Sequence, residues 1–241
     1  EINSPARFFT DGLKNSTQFD LQLGYFNSAA ISALAEGFAS FISNGGVFRL
    51  VINQIVSRRD KEAIIQGERG DVIDCVDLSN FEELRKTFDA YQDQFFHCLA
   101  YLISVHRIQI VIIKPLSAQG IAHTKSGQFR DGDSTTSFTG SANFTISGLF
   151  NNLEEIKIDR SDSIDMMVQK RIDSQREEFD SIMKMTKRNI EYLSPDNLIS
   201  AIQTNYGDKD IEELLDVEKK LRKLKKERAI RERQKRVDMV C

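Results

Sequence analysis

Residues 19–26 read FDLQLGYF, residues 29–43 read AAISALAEGFASFIS, and residues 47–52 read VFRLVI. The first stretch alternates apolar and polar residues and is rich in aromatics, which predicts a strand. Asn27 and Ser28 supply helix-capping side chains. Behind them, Ile31, Leu34, Ala35, Phe38 and Ile42 recur at helical spacing. Asn44-Gly45-Gly46 then stops the helix, since glycine accepts the left-handed conformation of a C-terminal cap. The third stretch is a second strand. This strand–helix–strand order predicts a layered α/β domain.

The pattern continues outward. Residues 58–77 are mostly polar and without period. Residues 81–105 are expected as a helix, with Leu84, Phe88, Tyr91, Phe95, Leu99 and Leu102 on one face. RIQIVIIK at 107–114 is a buried-type strand that Pro115 should stop. Three short strands are expected at 120–125, 135–139 and 153–158. After Asp159 the chain turns helical, with Ile164, Val168, Ile172, Phe179 and Ile182 in register. Ser194-Pro195 is a helix start, Ser as cap and Pro at the first position. Residues 208–237 form a charged helical pattern with a thin apolar seam of Ile211, Leu214, Leu221 and Leu224. That seam fits a short coiled coil or an interdomain helix and fades by Arg228.

The 241 residues are 40% apolar and 29% charged, an ordinary globular balance. No apolar run is long enough to span a bilayer, and the N-terminus lacks the layout of a signal peptide. The chain begins at Glu1 and its last stretch is still charged and helix-like, so it reads as a segment of something longer. Cys75, Cys98 and Cys241, an odd set without CxxC spacing, argue against a disulfide framework or a zinc site. They favour a reducing, cytoplasmic setting. The net charge of −3 is unevenly spread. From Lys219 to Arg236 there are eleven Lys or Arg and two Glu, a local balance of +9 that leaves −12 for the rest. Affinity for phosphates must therefore come from a local site or from the basic tail.

The chemistry-bearing residues lie in three pieces: His123-Thr124-Lys125, Gly140-Ser141-Ala142-Asn143, and Asn152-Leu153-Glu154. Two residues apart on a strand, His123 and Lys125 share a face. An imidazole beside a fixed cation can attack or protonate near a phosphate whose charge the lysine offsets. Gly140 lets the backbone approach an anion, while Ser141 and Asn143 add donors. Glu154 can accept a hydrogen bond from the second imidazole nitrogen and fix its orientation. Either H-x-K or G-S-x-N alone is a weak signal; the ordered set is much stronger.

Residues 123–154 (HTKSGQFRDGDSTTSFTGSANFTISGLFNNLE) resemble the HKD motif of the phospholipase D superfamily, most of all its nuclease-like branch, which is often found beside helicases or within restriction systems. The opening strand–helix–strand is similar to that branch as well, so the resemblance spans roughly residues 19–158. It implies a phospholipase D-like mixed sheet flanked by helices in residues 1–195, with residues 196–241 a charged helical extension or linker to further domains. It implies a phosphohistidine on His123, with a second histidine protonating the leaving oxygen. Lys125 and Asn143 would hold phosphate oxygens, Ser141 would line the same site, and Glu154 would orient His123. No metal or other cofactor would be needed. The family builds a site from two HKD halves and this chain has one. A homodimer should therefore complete it, His123 facing His123 across a two-fold axis. The usual motif places an Asp five residues after the Lys, where this chain has Arg130.

The expected activity is metal-independent cleavage of nucleic acid, DNA ahead of RNA, as part of a helicase- or restriction-type defence protein, without membrane attachment. A phospholipase or phospholipid-transfer enzyme is the runner-up, and a catalytically silent dimerisation or DNA-docking module the third reading. Lipid turnover, or no cleavage at all, would separate them. His97 is read as a packed or surface residue and His106 as a loop residue. Asp131-Gly132-Asp133 is read as a turn rather than a metal loop. Tyr25 and Phe26 are read as core, with base stacking the sharper alternative.

Overall fold

The computed structural model describes residues 5–23, 28–53, 89–116, 125–140 and 156–238. The described elements are helix α1 (Pro5–Lys14), strand β1 (Gln18–Leu23), α2 (Ser28–Ser43), β2 (Val47–Asn53), α3 (Ala90–Ser104), β3 (Ile108–Pro115), β4 (Lys125–Asp131), β5 (Ser134–Gly140), β6 (Ile156–Arg160), α4 (Met166–Met183), β7 (Ile190–Leu193), α5 (Asp196–Tyr206) and α6 (Ile211–Asp238). Among the described residues the fold is mixed α/β, with a seven-stranded sheet in the order β6-β5-β4-β1-β2-β3-β7. Strands β1, β2 and β3 run parallel. Strand β4 pairs antiparallel with β1, and the meander β4-β5-β6 continues outward from it. Strand β7 closes the other edge antiparallel to β3. No described helix is long and apolar enough to cross a membrane.

Alternation sorts the strand residues between two faces. Phe19, Leu21 and Leu23 of β1 and Phe48, Leu50 and Ile52 of β2 enter the main core. There they meet Phe9 and Leu13 of α1, Phe38 of α2, Phe95 and Leu99 of α3, and Leu198 and Ile202 of α5. Phe19 lies between its register partners Phe48 and Phe129, with ring centroids 5.2 and 4.5 Å away. This three-strand ladder pins β4 against β1, because cross-strand aromatic pairs stabilise one register over a slipped one. The opposite face carries Val51, Val111 and Ile113, covered by Phe179 and Ile182 of α4.

Several expected boundaries move. The helix expected from residue 81 has its cap at Asp89, which accepts hydrogen bonds from the Tyr91 and Gln92 N–H groups while the Asp89 N–H donates to Gln92. That reciprocal capping box closes the helix end, and helical spacing alone could not reveal it. Strand β3 takes in Pro115 as its last residue. The strand expected at 120–125 is described only from Lys125, where β4 begins and runs on to Asp131. Gly132, at φ 53°, makes the turn into β5, as read from Asp-Gly-Asp. The expected cap shifts by one residue: Pro195, not Ser194, is the N-cap of α5 and makes no side-chain cap hydrogen bond, while the Asp196 N–H donates to the Ser194 hydroxyl just outside the helix.

Residues beyond 195 contribute to the same core: Leu198, Ile202 and Tyr206 of α5 and Leu214 of α6 are buried in it. The seam of α6 docks through Leu214 and Leu221, but Leu224 is exposed. Between the two leucines stands Glu218, 1% exposed. It accepts hydrogen bonds from the Ser40 N–H at 3.1 Å and the Ser40 hydroxyl at 2.6 Å, and it pairs with Arg222.

His97 of α3 is packed, as expected. Its Nδ1 lies 3.0 Å from the Tyr206 carbonyl oxygen and 3.1 Å from Asp208. Burial lowers its pKa and outweighs the opposing pull of the carbonyl contact and of Asp208, whose side chain is exposed. A histidine whose folded pKa lies below its unfolded value contributes most stability above the unfolded value, about 6.5, and loses it as pH falls through the folded value. The urea midpoint should therefore drop further between about pH 7 and 5.5 in the native chain than in His97→Gln. Equal drops in the two proteins would refute this.

Candidate active site

The three motif-bearing segments join the described fold at one sheet edge. Lys125 is the first residue of β4 and pairs with Gly140, the last of β5. Gly140 in turn pairs with Ile156, the first residue of β6. Three adjacent strand ends thus form a row. On the β1 side, Gln22 pairs with Ser126, so the C-terminal end of β1 sits at the same edge. The C-terminal ends of β2 and β3 lie there too, since both run parallel to β1. In open α/β sheets this is the edge at which ligands bind, where neighbouring connections diverge. Here the divergence falls at β1, which has a parallel neighbour on one side and an antiparallel one on the other.

Of the expected site residues, Lys125 is described through its backbone, at the start of β4. His123, Ser141, Asn143 and Glu154 lie outside the described residues, as do Tyr25 and Phe26.

The polar run after Lys125 is buried. Ser126 and Gln128 face α4, and the Gln128 side-chain amide donates to the Ile172 carbonyl at 2.9 Å. Gln175 of α4 donates to the carbonyls of Gly127 and Phe138, each at 3.2 Å, and accepts a hydrogen bond from the Ser137 hydroxyl. The Gln175 side chain from α4 therefore reaches into the β4–β5 pair two residues from Lys125. Gly127 is required by a close approach. A Cβ there would lie 2.5 Å from the Asp20 carbonyl oxygen and 2.6 Å from the Phe138 ring. Gly127→Ala should destabilise the fold by about 1–3 kcal/mol, because strand backbone cannot yield as a flexible side chain would. Chemical denaturation measures this, and an unchanged midpoint would contradict it.

Arg130, at the position where the HKD pattern usually has Asp, belongs to a charged cluster beneath the sheet. It donates to Asp20 of β1. Asp20, its side chain 3% exposed, also accepts from Arg49 Nε at 2.7 Å and Nη2 at 2.6 Å. Arg49 Nη1 donates to Asp180 of α4 at 2.8 Å, and its guanidinium lies 5.1 Å from the centre of the Phe179 ring. Burial works against the charge on Arg49, but its hydrogen bonds and ion pairs to Asp20 and Asp180 prevail and raise its pKa. Two arginines around one buried carboxylate tie β1, β2, β4 and α4 together. Sequence reading missed Asp20 and Arg49. The signal was present in FDLQL, where a carboxylate interrupts an apolar strand on the face opposite the phenylalanine.

A comparison with protein-family models returns no match, and a comparison with curated proteins likewise returns none.

Proposed function

We propose that this chain has a phospholipase D-like fold and is a phosphodiesterase cleaving nucleic acid through a phosphohistidine at His123. The observation that carries the proposal is the row Lys125–Gly140–Ile156 across β4, β5 and β6. Ser141 is peptide-bonded to Gly140, and His123 and Glu154 are each two residues from their strand ends. Chain connectivity keeps their Cα atoms within about 7 Å of Lys125 and Ile156, respectively. The reading is supported by the adjacency of the strand ends next to the motif pieces, Lys125, Gly140 and Ile156, on the side of the sheet where α/β folds commonly bind ligands.

In this reading His123 attacks phosphorus and the bond to the leaving oxygen breaks. The His123 of a second copy protonates that oxygen, and water then releases the phosphoryl group from the first histidine. Lys125, Ser141 and Asn143 hold the phosphoryl oxygens, whose charge is greatest in the transition state. Glu154 accepts a hydrogen bond from His123 and orients the ring. The active unit is a homodimer that serves as the nuclease component of a helicase- or restriction-type assembly. Incubation of the chain with DNA, RNA and phosphatidylcholine vesicles in EDTA tests the activity. Cleavage of nucleic acid is expected. Lipid turnover alone, or no cleavage in a chain shown to be folded, would overturn it.

A further inference from the structure

We propose that the basic half of α6 is a nucleic-acid-binding arm directed at the candidate active-site edge. Its role as substrate holder rests on the nuclease reading; its affinity for polyphosphate backbone does not. Helix α2 follows β1 and precedes β2, so its first turn lies at the motif edge and its last turn at the opposite one. The Arg107 guanidinium, just before β3, donates to the Ile42 carbonyl at the end of α2, which places the end of α3 at that opposite edge as well. The first turns of α2 and α3 therefore share the motif edge.

Helix α6 runs antiparallel to both. Near its start, the Leu214 carbonyl accepts from Gln94 of α3, and Glu218 accepts from Ser40 of α2. Further along, Tyr91 of α3 donates to the Leu221 carbonyl, and Lys225 donates to Glu36 of α2 at 2.7 Å. Contacts thus step back along α2 from 40 to 36 and along α3 from 94 to 91 as α6 advances. From Lys225 the helix continues to Asp238, a further rise of about 20 Å. Tyr91 is the second residue of α3, so most of that rise extends beyond the described start of α3, on the motif-edge side.

Charge supplies the second observation. The stretch 219–236 carries +9 against −12 on the rest of the chain. Arg222 and Lys225 turn inward to Glu218 and Glu36, whereas Lys220, Lys223, Lys226 and Arg228 are exposed. An acidic body repels a polyanion, so a cationic helix on the site side is what can bring phosphodiesters to the edge. A membrane surface fits less well. It needs a continuous apolar face beside the cations, and among the described residues the large apolar side chains exposed on α6 are Leu224 and Ile230, six positions apart.

The test is binding, read apart from cleavage. Anisotropy of a labelled DNA duplex and of single strands is measured on the His123→Ala chain in EDTA, from about 50 to 200 mM salt. The same measurement is made with Lys223→Gln, Lys226→Gln and Arg228→Gln combined. The slope of log affinity against log salt should become shallower by about 2–3, and binding should weaken at least about tenfold. Replacing Lys223 and Lys226 with Arg should preserve both. An unchanged slope in a triple variant with native circular dichroism would overturn the arm. So would binding to phosphatidylserine vesicles without binding to nucleic acid. If the slope falls as expected but the native chain cleaves nothing, the arm stands and the nuclease reading falls. If the native chain cleaves and the triple variant keeps its KM and affinity, the nuclease reading stands and the arm falls.

Discussion

Asp20→Ala should cost this fold about 3 kcal/mol, read as a lower urea midpoint and a melting temperature reduced by about 6–12 °C. The carboxylate is almost fully buried and answers two guanidiniums whose own side chains are only 18% and 19% exposed. Removing it leaves two cations poorly solvated and facing each other. Breaking a buried pair in this way costs more than the pair contributed when whole. Asp180 still holds one arm of Arg49, which keeps the loss at the lower end for a broken buried pair. Asp20→Asn, which retains one acceptor oxygen, should lose less. Arg49→Met with Arg130→Met in the Asp20→Ala background should recover part of the loss, since no uncompensated charge then remains. A loss below about 1 kcal/mol in Asp20→Ala would show that water reaches the cluster more freely than its burial indicates.

His123→Ala should abolish cleavage by about 10³-fold or more, the scale on which removal of a nucleophile acts. Folding should be unaffected, so the urea midpoint serves as the control. The shared-site reading adds a second, sharper outcome. When the variant is mixed in equal amount with a fixed quantity of native chain and subunits exchange, the rate should fall to about half, because mixed dimers lack one of the two histidines. A rate that does not change on mixing would mean that each chain acts alone. Residual cleavage near the native level in His123→Ala would remove the phosphohistidine from the proposal.

Hydrophobic periodicity carried the fold where burial is one-sided or complete. The stretches 19–23, 29–43, 47–52 and 108–114 all fall in elements of the expected type, because Phe19, Phe38, Phe48 and Ile110 each point into the main core. It failed where tertiary context decides. Helix α1 was not foreseen; its Phe9 and Leu13 make sense only once α2 and the sheet lie beneath them. Strand β7 is four residues long and exists because β3 offers an unpaired edge. Buried polar residues were the main blind spot. Gln128, Glu218 and Asp20 sit inside with partners there, the Ile172 carbonyl for the Gln128 amide nitrogen, Ser40 for Glu218 and two arginines for Asp20, and no periodicity encodes a partner tens of residues away. Of the candidate site, the order of the motif pieces was legible. The adjacency of Lys125, Gly140 and Ile156 was not, since it depends on the antiparallel registers of β4 with β5 and of β5 with β6.

The Gly132 turn has a practical use. It caps the β4–β5 hairpin at the end opposite Lys125 and Gly140; a side chain at Gly132 itself would be strained by its φ of 53°, but the adjoining Asp133 is exposed and offers an attachment point. Seven-residue strands separate it from the motif edge by about 20 Å. A fluorophore attached there would ride on the two strands that lead into the site without occupying it. In a dimer closed edge to edge through that site, with the two hairpins in line, two such labels would stand about 40 Å apart, a separation that energy transfer can read.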